Sequence, residues 1–302
     1  MIGPLSYIGG KRAIANQIIE IFPEHTTYVE AFAGGAQVLF RKEPSKVEVL
    51  NDLDGEVVNF FRVCQQHYEE LIRYFRFVLV SRKWFELLKT TDQTMLTDIQ
   101  RAARFFYLQK NSFAALVRRH NFGGSVVEPS GFNPERIPQW IENAYHRLAR
   151  VRIESLPYEQ ILERYDRPTT LFYLDPPYFG RKLYNYNFEP EDFAKLAERL
   201  KALQGKFVLS LNDVQEANSN ARYQSQHYNP KSSGSNLARS ILIDPTKVSV
   251  AGVNELNICD WIKRNTDRVN FLIPADSPKY TRELLEKLLH SRWLPMFEGR
   301  DY

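Results

Sequence analysis

The feature that most constrains this chain is a short, wholly apolar run that is followed at once by two prolines. Residues 171–174 read Leu-Phe-Tyr-Leu, and Asp175, Pro176, Pro177 and Tyr178 follow them directly. Such a run is typical of a central strand in a parallel sheet, which helices cover on both faces. Two successive prolines end the strand and fix the chain at its carboxyl end. Because ligands of open α/β sheets bind at that edge, the sequence predicts a binding site here.

The residues of this motif suit the recognition of a planar base that carries an amino group. Asp175 supplies a carboxylate acceptor, the carbonyl of Pro176 can face a ligand, and Tyr178 offers a flat ring for stacking. Two acceptors would hold an amino group with its lone pair aimed at an incoming methyl group, and an aromatic amine mainly needs such positioning. A plain strand-ending turn is the alternative interpretation of the isolated motif.

A second segment predicts a site for a nucleoside-containing cofactor. The predicted strand 28–32 ends on Phe32 and runs into a turn at Gly34, where a missing Cβ lets the backbone approach a ligand. The turn lacks G-x-G-x-x-G, which favours a nucleoside over a dinucleotide. Asp52 ends the next predicted strand, where an acid commonly accepts hydrogen bonds from ribose hydroxyls. Capping of the following helix is the alternative role for Asp52, and Asp54 could be that cap instead.

A third segment, S-Y-I-G-G-K at residues 6–11, contains Tyr7, Gly10 and Lys11 and precedes a predicted helix at residues 13–22. Two glycines before a lysine and a helix form a loop that can wrap a small anion, with Lys11 pairing a carboxylate. An ordinary flexible terminus is the alternative for this segment alone.

The order of elements predicts two parts in an α/β protein. Helices and strands alternate in residues 1–55 and from residue 151 onwards, which indicates one catalytic domain over 1–55 and 151–302, with 245–302 left unplaced. Residues 56–150 are rich in helical patterns, aromatic residues and cations, which is typical of an inserted second domain. The net charge of +4 permits an anionic partner without requiring one. Two distant cysteines argue against a disulfide framework or a metal site.

Read together, the segments resemble the Dam-type N6-adenine DNA methyltransferases. In that family the glycine–lysine segment comes first, the F-x-G segment second, the target-recognition domain third and D-P-P-Y fourth, and the match runs from about Pro4 to Asp213. The resemblance implies a Rossmann-like S-adenosylmethionine-dependent methyltransferase sheet with an inserted helical target-recognition domain. It also implies methylation of the N6 amino group of an adenine that is flipped out of double-stranded DNA.

The family pattern assigns roles to single residues. It implies that Tyr7 and Lys11 contact the methionine end of S-adenosylmethionine, that Asp52 holds the ribose, and that Asp175 lies between cofactor and adenine. Residues 104–116 are similar to the segment that opens the DNA-facing loop. The predicted DNA-binding residues in and after it are Lys110, Asn111, Arg118, Arg119 and Asn121. A solvated basic face is the alternative interpretation for each basic residue among them.

The chain also departs from the family. In the family the helix after D-P-P-Y often carries an Asp-His pair, whereas this chain has Asp192-Phe193. The family also has an S-x-N-D motif, which residues 210–213 match here, and residues 240–243 are the candidate for the strand that follows it. The unusual C-terminal third leaves a DNA-binding homologue without turnover as one alternative. An RNA methyltransferase and a protein-glutamine methyltransferase are others, since such enzymes use a related P-P-Y motif, although they usually read N-P-P-Y. With no secretory signal or membrane-spanning run, we expect a cytoplasmic protein of a bacterium or phage. A cognate restriction endonuclease and the oligomeric state are left open.

Overall fold

Strands and helices alternate at both ends of the described chain, with a run of helices between them. The computed structural model describes residues 1–7, 9–112, 121–123, 130–178, 183–212 and 240–243. In these ranges the helices are α1 (Ala15–Glu20), α2 (Gln37–Arg41), α3 (Gly55–Gln66), α4 (Tyr68–Phe75), α5 (Arg82–Thr90), α6 (Asp98–Asn111), α7 (Ile137–Leu148), α8 (Tyr158–Tyr165) and α9 (Pro190–Ala202). The strands are β1 (Thr27–Glu30), β2 (Val47–Asn51), β3 (Val151–Glu154), β4 (Thr170–Leu174), β5 (Lys206–Asn212) and β6 (Ser240–Ile243).

The strands form one six-stranded sheet in the order β3-β2-β1-β4-β5-β6. The first five are parallel and β6 runs antiparallel to β5. From β1 the chain winds outwards through β2 and β3, whereas β4 and β5 extend the sheet from the other side of β1. The switch point between β1 and β4 is where ligands of such sheets bind. The predicted α/β class with a Rossmann-like sheet is confirmed, as is a strand at residues 240–243.

Alternating side chains divide the core between the two faces of the sheet. Tyr28 and Tyr173 belong to the cluster on one face, and their neighbours Val29 and Phe172 belong to the cluster on the other. The second cluster is completed by α8 and α9, and the first by α1, α2 and the helices from α3 to α7. Every residue of β4 is buried, as its apolar sequence predicted. None of the described helices is long and apolar enough to cross a membrane.

Two helices of the predicted insertion pack on the sheet layer itself. Residues of α3 and α7 belong to the same buried cluster as β1 and β4, and both helices contact β3. A network of ion pairs and hydrogen bonds holds α7 against β2 and α2. Arg147 donates to both carboxylate oxygens of Glu48 on β2, at 2.5 and 2.9 Å, and to the carbonyl of Leu39. Lys42 also pairs with Glu48, at 2.7 Å. The division at residues 56 and 150 stays a prediction, but α3 and α7 complete the core of the sheet.

We expect the substitution Arg147→Met to lower the free energy of unfolding by about 3 kcal/mol, because it leaves a buried carboxylate short of a partner. Urea unfolding at neutral pH measures the loss. Arg62→Met is the matched control, since Arg62 and its partner Asp98 are both about half exposed. An exposed pair of this kind contributes less than about 1 kcal/mol. Equal losses in the two variants would contradict the role given to the buried network.

Candidate active site

A cavity of about 540 Å³ lies at the carboxyl ends of the central strands. Its size is that of a site for a small-molecule ligand or cofactor. Residues from all three predicted segments line it, together with the loop that follows the D-P-P-Y motif. The predicted site residues in its wall are Tyr7, Gly10, Lys11, Phe32, Gly34, Asp52, Asp175 and Pro177.

Lys11 and Asp175 form an ion pair across this cavity, although 164 positions separate them in the sequence. The Lys11 Nζ lies 2.6 and 2.5 Å from the two carboxylate oxygens and 3.0 Å from the carbonyl of Gly9. It also lies 4.9 Å from the centre of the Tyr178 ring, and Pro176, the residue after Asp175, is buried. The structure therefore gives the lysine a carboxylate partner within the protein, where the sequence had suggested one on a ligand.

Burial has opposite effects on the two partners of this pair. Burial raises the pKa of Asp175 above its usual value, against the opposing effect of the Lys11 ammonium group. Burial also works to lower the pKa of Lys11, but the nearby Asp175 carboxylate outweighs it, so that this pKa is raised. Each charge thus depends on the other in a site where the lysine is 3% exposed.

The glycine turn after β1 approaches the N-terminal segment too closely for any side chain. Gly34 has a φ of +47°, and a Cβ added to it would lie 2.9 Å from the Cδ1 atom of Tyr7. Its backbone N–H donates to Asp52 at 2.8 Å. The Tyr7 ring, in turn, lies nearly parallel to that of Tyr184, with the ring centroids 6.1 Å apart. The turn, the N-terminal segment and Asp52 therefore form one packed unit.

Asn51 and Asp54 hold Asp52 at the end of β2. The side-chain amide of Asn51 forms hydrogen bonds with the backbone of Ala31 and Leu156, and these bonds link the ends of three neighbouring strands. Of the two acids considered as the cap of α3, Asp54 is the N-cap. Its side chain accepts a hydrogen bond from the N–H of Glu56 at 2.9 Å. Asp52 remains half buried in the cavity wall. Burial raises the pKa of Asp52 to about 6, against hydrogen bonds from backbone amides.

Comparison with known proteins identifies the group to which this site belongs. The family model described as "D12 class N6 adenine-specific DNA methyltransferase" matches residues 7–234, which include every segment of the cavity described above. The chain belongs to the D12 class of N6 adenine-specific DNA methyltransferases. The resemblance drawn from the motifs is thereby confirmed.

Several relatives of this D12-class chain carry related names. It is 26% identical over 226 residues to the type II methyltransferase M1.LlaDCHI of Lactococcus lactis, covering 67% of this chain and 77% of that protein. It is 25% identical over 186 residues to the DNA adenine methylase of Vibrio cholerae, covering 58% of this chain and 64% of that protein. The DNA N-6-adenine-methyltransferase of Escherichia phage P1 is 25% identical over 177 residues, but the chain spans 23% of that protein.

The loop after the D-P-P-Y motif is one part of the D12-class site that sequence reasoning missed. Residues 184–188 line the cavity. The Asn185 side chain donates to Asp54 at 2.9 Å, and Phe188 packs against the rings of Phe32 and Tyr158. Phe193, which stands where the family often has a histidine, is buried against Phe188. This departure from the family therefore contributes to the packing of the loop. The alternation of Asn and aromatic residues in Y-N-Y-N-F was the available signal.

The predicted DNA-binding residues have different fates in the D12-class structure. Lys110 donates to Ser6 at 3.3 Å and lies 4.4 Å from the centre of the Trp140 ring. Burial lowers the pKa of Lys110 to about 8. Asn111 is 3% exposed, donates to the Tyr107 carbonyl and accepts from Ser130, which argues against the predicted contact with DNA. Its amide instead stabilises the end of α6. Asn121 is exposed, and Arg118 and Arg119 lie outside the described residues.

Glu30 is a buried acid in the cavity wall that the motifs did not single out. It accepts from the Tyr28 hydroxyl at 2.9 Å and from the Leu39 N–H at 3.1 Å. Burial raises the pKa of Glu30 from its usual value of 4.5 to about 8, against these two hydrogen bonds. The folded protein therefore keeps this carboxyl group protonated at neutral pH.

We expect Glu30→Gln to remove a pH dependence of stability. An acid with a raised pKa in the folded state contributes stability that is complete below pH 4.5 and is lost as the pH rises towards 8. Within this window the free energy of unfolding of the wild type should fall relative to the variant, by up to about 1.4 kcal/mol per pH unit. Urea unfolding of both proteins across the window measures the difference. Parallel pH curves would show that Glu30 ionises normally.

Proposed function

We propose that this chain transfers the methyl group of S-adenosylmethionine to the N6 amino group of an adenine that is flipped out of double-stranded DNA. The observation that carries the proposal is the buried Lys11–Asp175 pair in the wall of a cavity that all three predicted segments build. Membership of the D12 class supports the reaction, and the chemistry of the cavity supports this methyl donor.

The cavity suits a nucleoside that carries positive charge. Besides the protonated Glu30, its described lining contains five carboxyl groups, those of Asp52, Asp54, Glu159, Asp175 and Asp192, and one lysine. An acidic lining favours a ligand with an ammonium and a sulfonium group. The Phe32 and Tyr158 rings, 5.4 Å apart, offer apolar contact to an adenine ring. In this proposal Asp52 accepts hydrogen bonds from ribose hydroxyls, and Tyr7 and Lys11 contact the methionine end.

S-adenosylmethionine, when bound, supplies an electrophilic methyl group. The chain's own residues position the target amine and form its surroundings. The Asp175 carboxylate and the Pro176 carbonyl accept the two N–H groups of the target amine, which aims its lone pair, and Tyr178 stacks on the base. Lys11 keeps the Asp175 carboxylate charged and oriented in a buried site, where the hydrogen bonds to it are strongest. Pro177 keeps the turn rigid.

We expect cofactor binding to weaken as the pH falls below about 6, where Asp52 becomes protonated. A protonated carboxyl group accepts hydrogen bonds from the ribose less well, so affinity should fall by up to about tenfold per pH unit. Asp52→Asn should bind S-adenosylmethionine more weakly and with little pH dependence. Titration calorimetry of both proteins between about pH 5 and 8 makes the comparison. A wild-type affinity that is flat across this range would contradict the placement of Asp52 at the ribose.

Transfer of labelled methyl groups from S-adenosylmethionine to DNA, RNA and protein, assayed in parallel, tests the function. We expect label in DNA, as N6-methyladenine. Label in RNA or protein alone would favour one of the alternative methyltransferases. Binding of DNA and cofactor without transfer would identify a homologue that has lost turnover. Sequencing genomic DNA after expression in a host without adenine methylation gives the recognition sequence.

Residues 56–150 are proposed to choose the DNA sequence. Their helices α3 to α7 pack on one face of the sheet, and exposed Asn121 closely follows Arg118 and Arg119 in the sequence. Reading an adenine inside a duplex needs contacts to neighbouring bases while the target is turned out. Names of type II enzymes among the relatives support a search for a restriction endonuclease encoded beside this gene.

A further inference from the structure

Residues 73–84 are here called the basic–aromatic segment. They form a cationic surface on the helical part of the chain, in addition to the predicted DNA-binding residues. The segment joins the end of α4 to the start of α5, and its sequence reads R-Y-F-R-F-V-L-V-S-R-K-W. It has four cations, and no acidic residue occurs between Glu70 and Glu86. All four cations are exposed, and none forms an ion pair with a residue that the structure describes. These cations are Arg73, Arg76, Arg82 and Lys83.

Large apolar side chains are exposed between these cations. Phe77 is 83% exposed and Leu79 is 76% exposed. The backbone beneath them is nevertheless held in place, because the Tyr107 hydroxyl donates to the Leu79 carbonyl at 2.9 Å and accepts from the Ser81 N–H at 3.0 Å. Phe75 is buried beside them. A rigid segment that holds apolar side chains in solvent points to a partner surface.

The far end of the segment contacts the loop predicted to face DNA. The Arg82 guanidinium lies 4.7 Å from the centre of the Phe122 ring, and Phe85, which follows the segment, packs on the same ring. Phe122 lies next to exposed Asn121 and pairs with Ser112 at the end of α6. The basic–aromatic segment is therefore continuous with the surface on which recognition is proposed.

We propose that the basic–aromatic segment binds the phosphate backbone of duplex DNA beside the recognition site, independently of base sequence. The inference rests on the proposed function. Four exposed cations within twelve residues that contain no acid complement a polyanion, and cations that neutralise phosphates give a salt-dependent affinity. Phe77 and Leu79 would pack against sugars between the phosphates. The segment would extend the DNA contact beyond the predicted loop residues.

The test compares two variants that lose equal charge. One replaces Arg73, Arg76, Arg82 and Lys83 with glutamine. The control replaces Lys46, Arg150, Arg164 and Arg167, which are exposed and lie before β2, β3 and β4, at the opposite edge of the sheet from the cavity. Binding to a synthetic duplex of arbitrary sequence is measured over a range of salt concentrations. The first variant should bind more weakly at low salt, and its log–log salt slope should be flatter by about 3 to 4 units.

Other outcomes separate this inference from the proposed function. Equal slopes for both variants would overturn the inference. A wild-type protein that neither binds nor methylates DNA would instead overturn the proposed function. A second variant, Phe77→Ser with Leu79→Ser, is examined by sedimentation. If it changes the oligomeric state while the first variant keeps the wild-type salt slope, the segment is an interface between copies of this chain, and the DNA proposal is wrong.

Discussion

Replacing Asp175 with asparagine is expected to reduce the rate of methyl transfer by about 100-fold or more. Asparagine keeps the shape of the side chain but loses the charge and one of its two acceptor oxygens, which weakens the hydrogen bond that would orient the target amine. Positioning and electrostatic contacts of this kind contribute factors of about 10² to 10³. Single-turnover transfer of labelled methyl groups to DNA, at saturating cofactor, measures the chemical step apart from product release.

A control is needed because the same change leaves Lys11 buried and unpaired. Loss of one partner from a buried ion pair costs about 3–5 kcal/mol of stability, so Asp175→Asn alone could fail through unfolding. The double variant Asp175→Asn, Lys11→Met removes the stranded charge and should regain most of the lost stability, as measured by urea unfolding. Its turnover should stay low. A stable double variant with near wild-type turnover would show that Asp175 takes no part in catalysis.

The substitution Gly34→Ala should weaken S-adenosylmethionine binding by about 10- to 100-fold and lower methyl transfer accordingly. The added Cβ would meet the Tyr7 ring at 2.9 Å, and a φ of +47° disfavours any side chain by about 1–2 kcal/mol. To relieve the contact, either the Tyr7 ring or the turn must shift, and both line the cavity. Titration calorimetry gives the affinity.

Gly55→Ala is the matched control for this change. Gly55 is the first residue of α3, and an added Cβ meets nothing within 4 Å. Alanine favours a helix over glycine by up to about 1 kcal/mol, so stability should be unchanged or slightly higher and cofactor affinity should not change. Similar losses of affinity in both variants would mean that the turn at Gly34 is not part of the cofactor site.

Much of the fold follows from local patterns in the sequence. The strand β4 was predictable because a strand buried on both faces must be apolar throughout, and α8 because its apolar residues recur at helical spacing. The start of α3 was predictable because an aspartate before the helix can accept from its free N–H groups. By contrast, α5 and α7 are harder to predict, since a stretch of cations in one and an early proline in the other obscure the same spacing.

The sequence predicted which residues form the site better than it predicted the bonds between them. The motifs named Lys11 and Asp175 separately, but a bond between residues 164 positions apart depends on the folded sheet and has no local signal. The link from Asn185 to Asp54 is of the same kind. Asn111 was assigned to DNA because it lies in residues 104–116, the segment similar to the one that opens the family's DNA-facing loop. On a helix, neighbouring residues point in different directions, and Asn111 faces the interior.

The packing of α3 and α7 on the sheet bears on how such enzymes acquire new recognition sequences. A chimaera joined at residues 56 and 150 would exchange two helices that complete the core beneath the cavity, and would break the bonds from Arg147 to Glu48 and Leu39. Joints placed after α3 and before α7 keep those two helices and the bonds of Arg147, but they exchange α4, α5 and α6, which belong to the same buried cluster. A transplanted helical part would therefore need side chains on its α4 and α6 that still fit α3 and α7, the helices that stay behind.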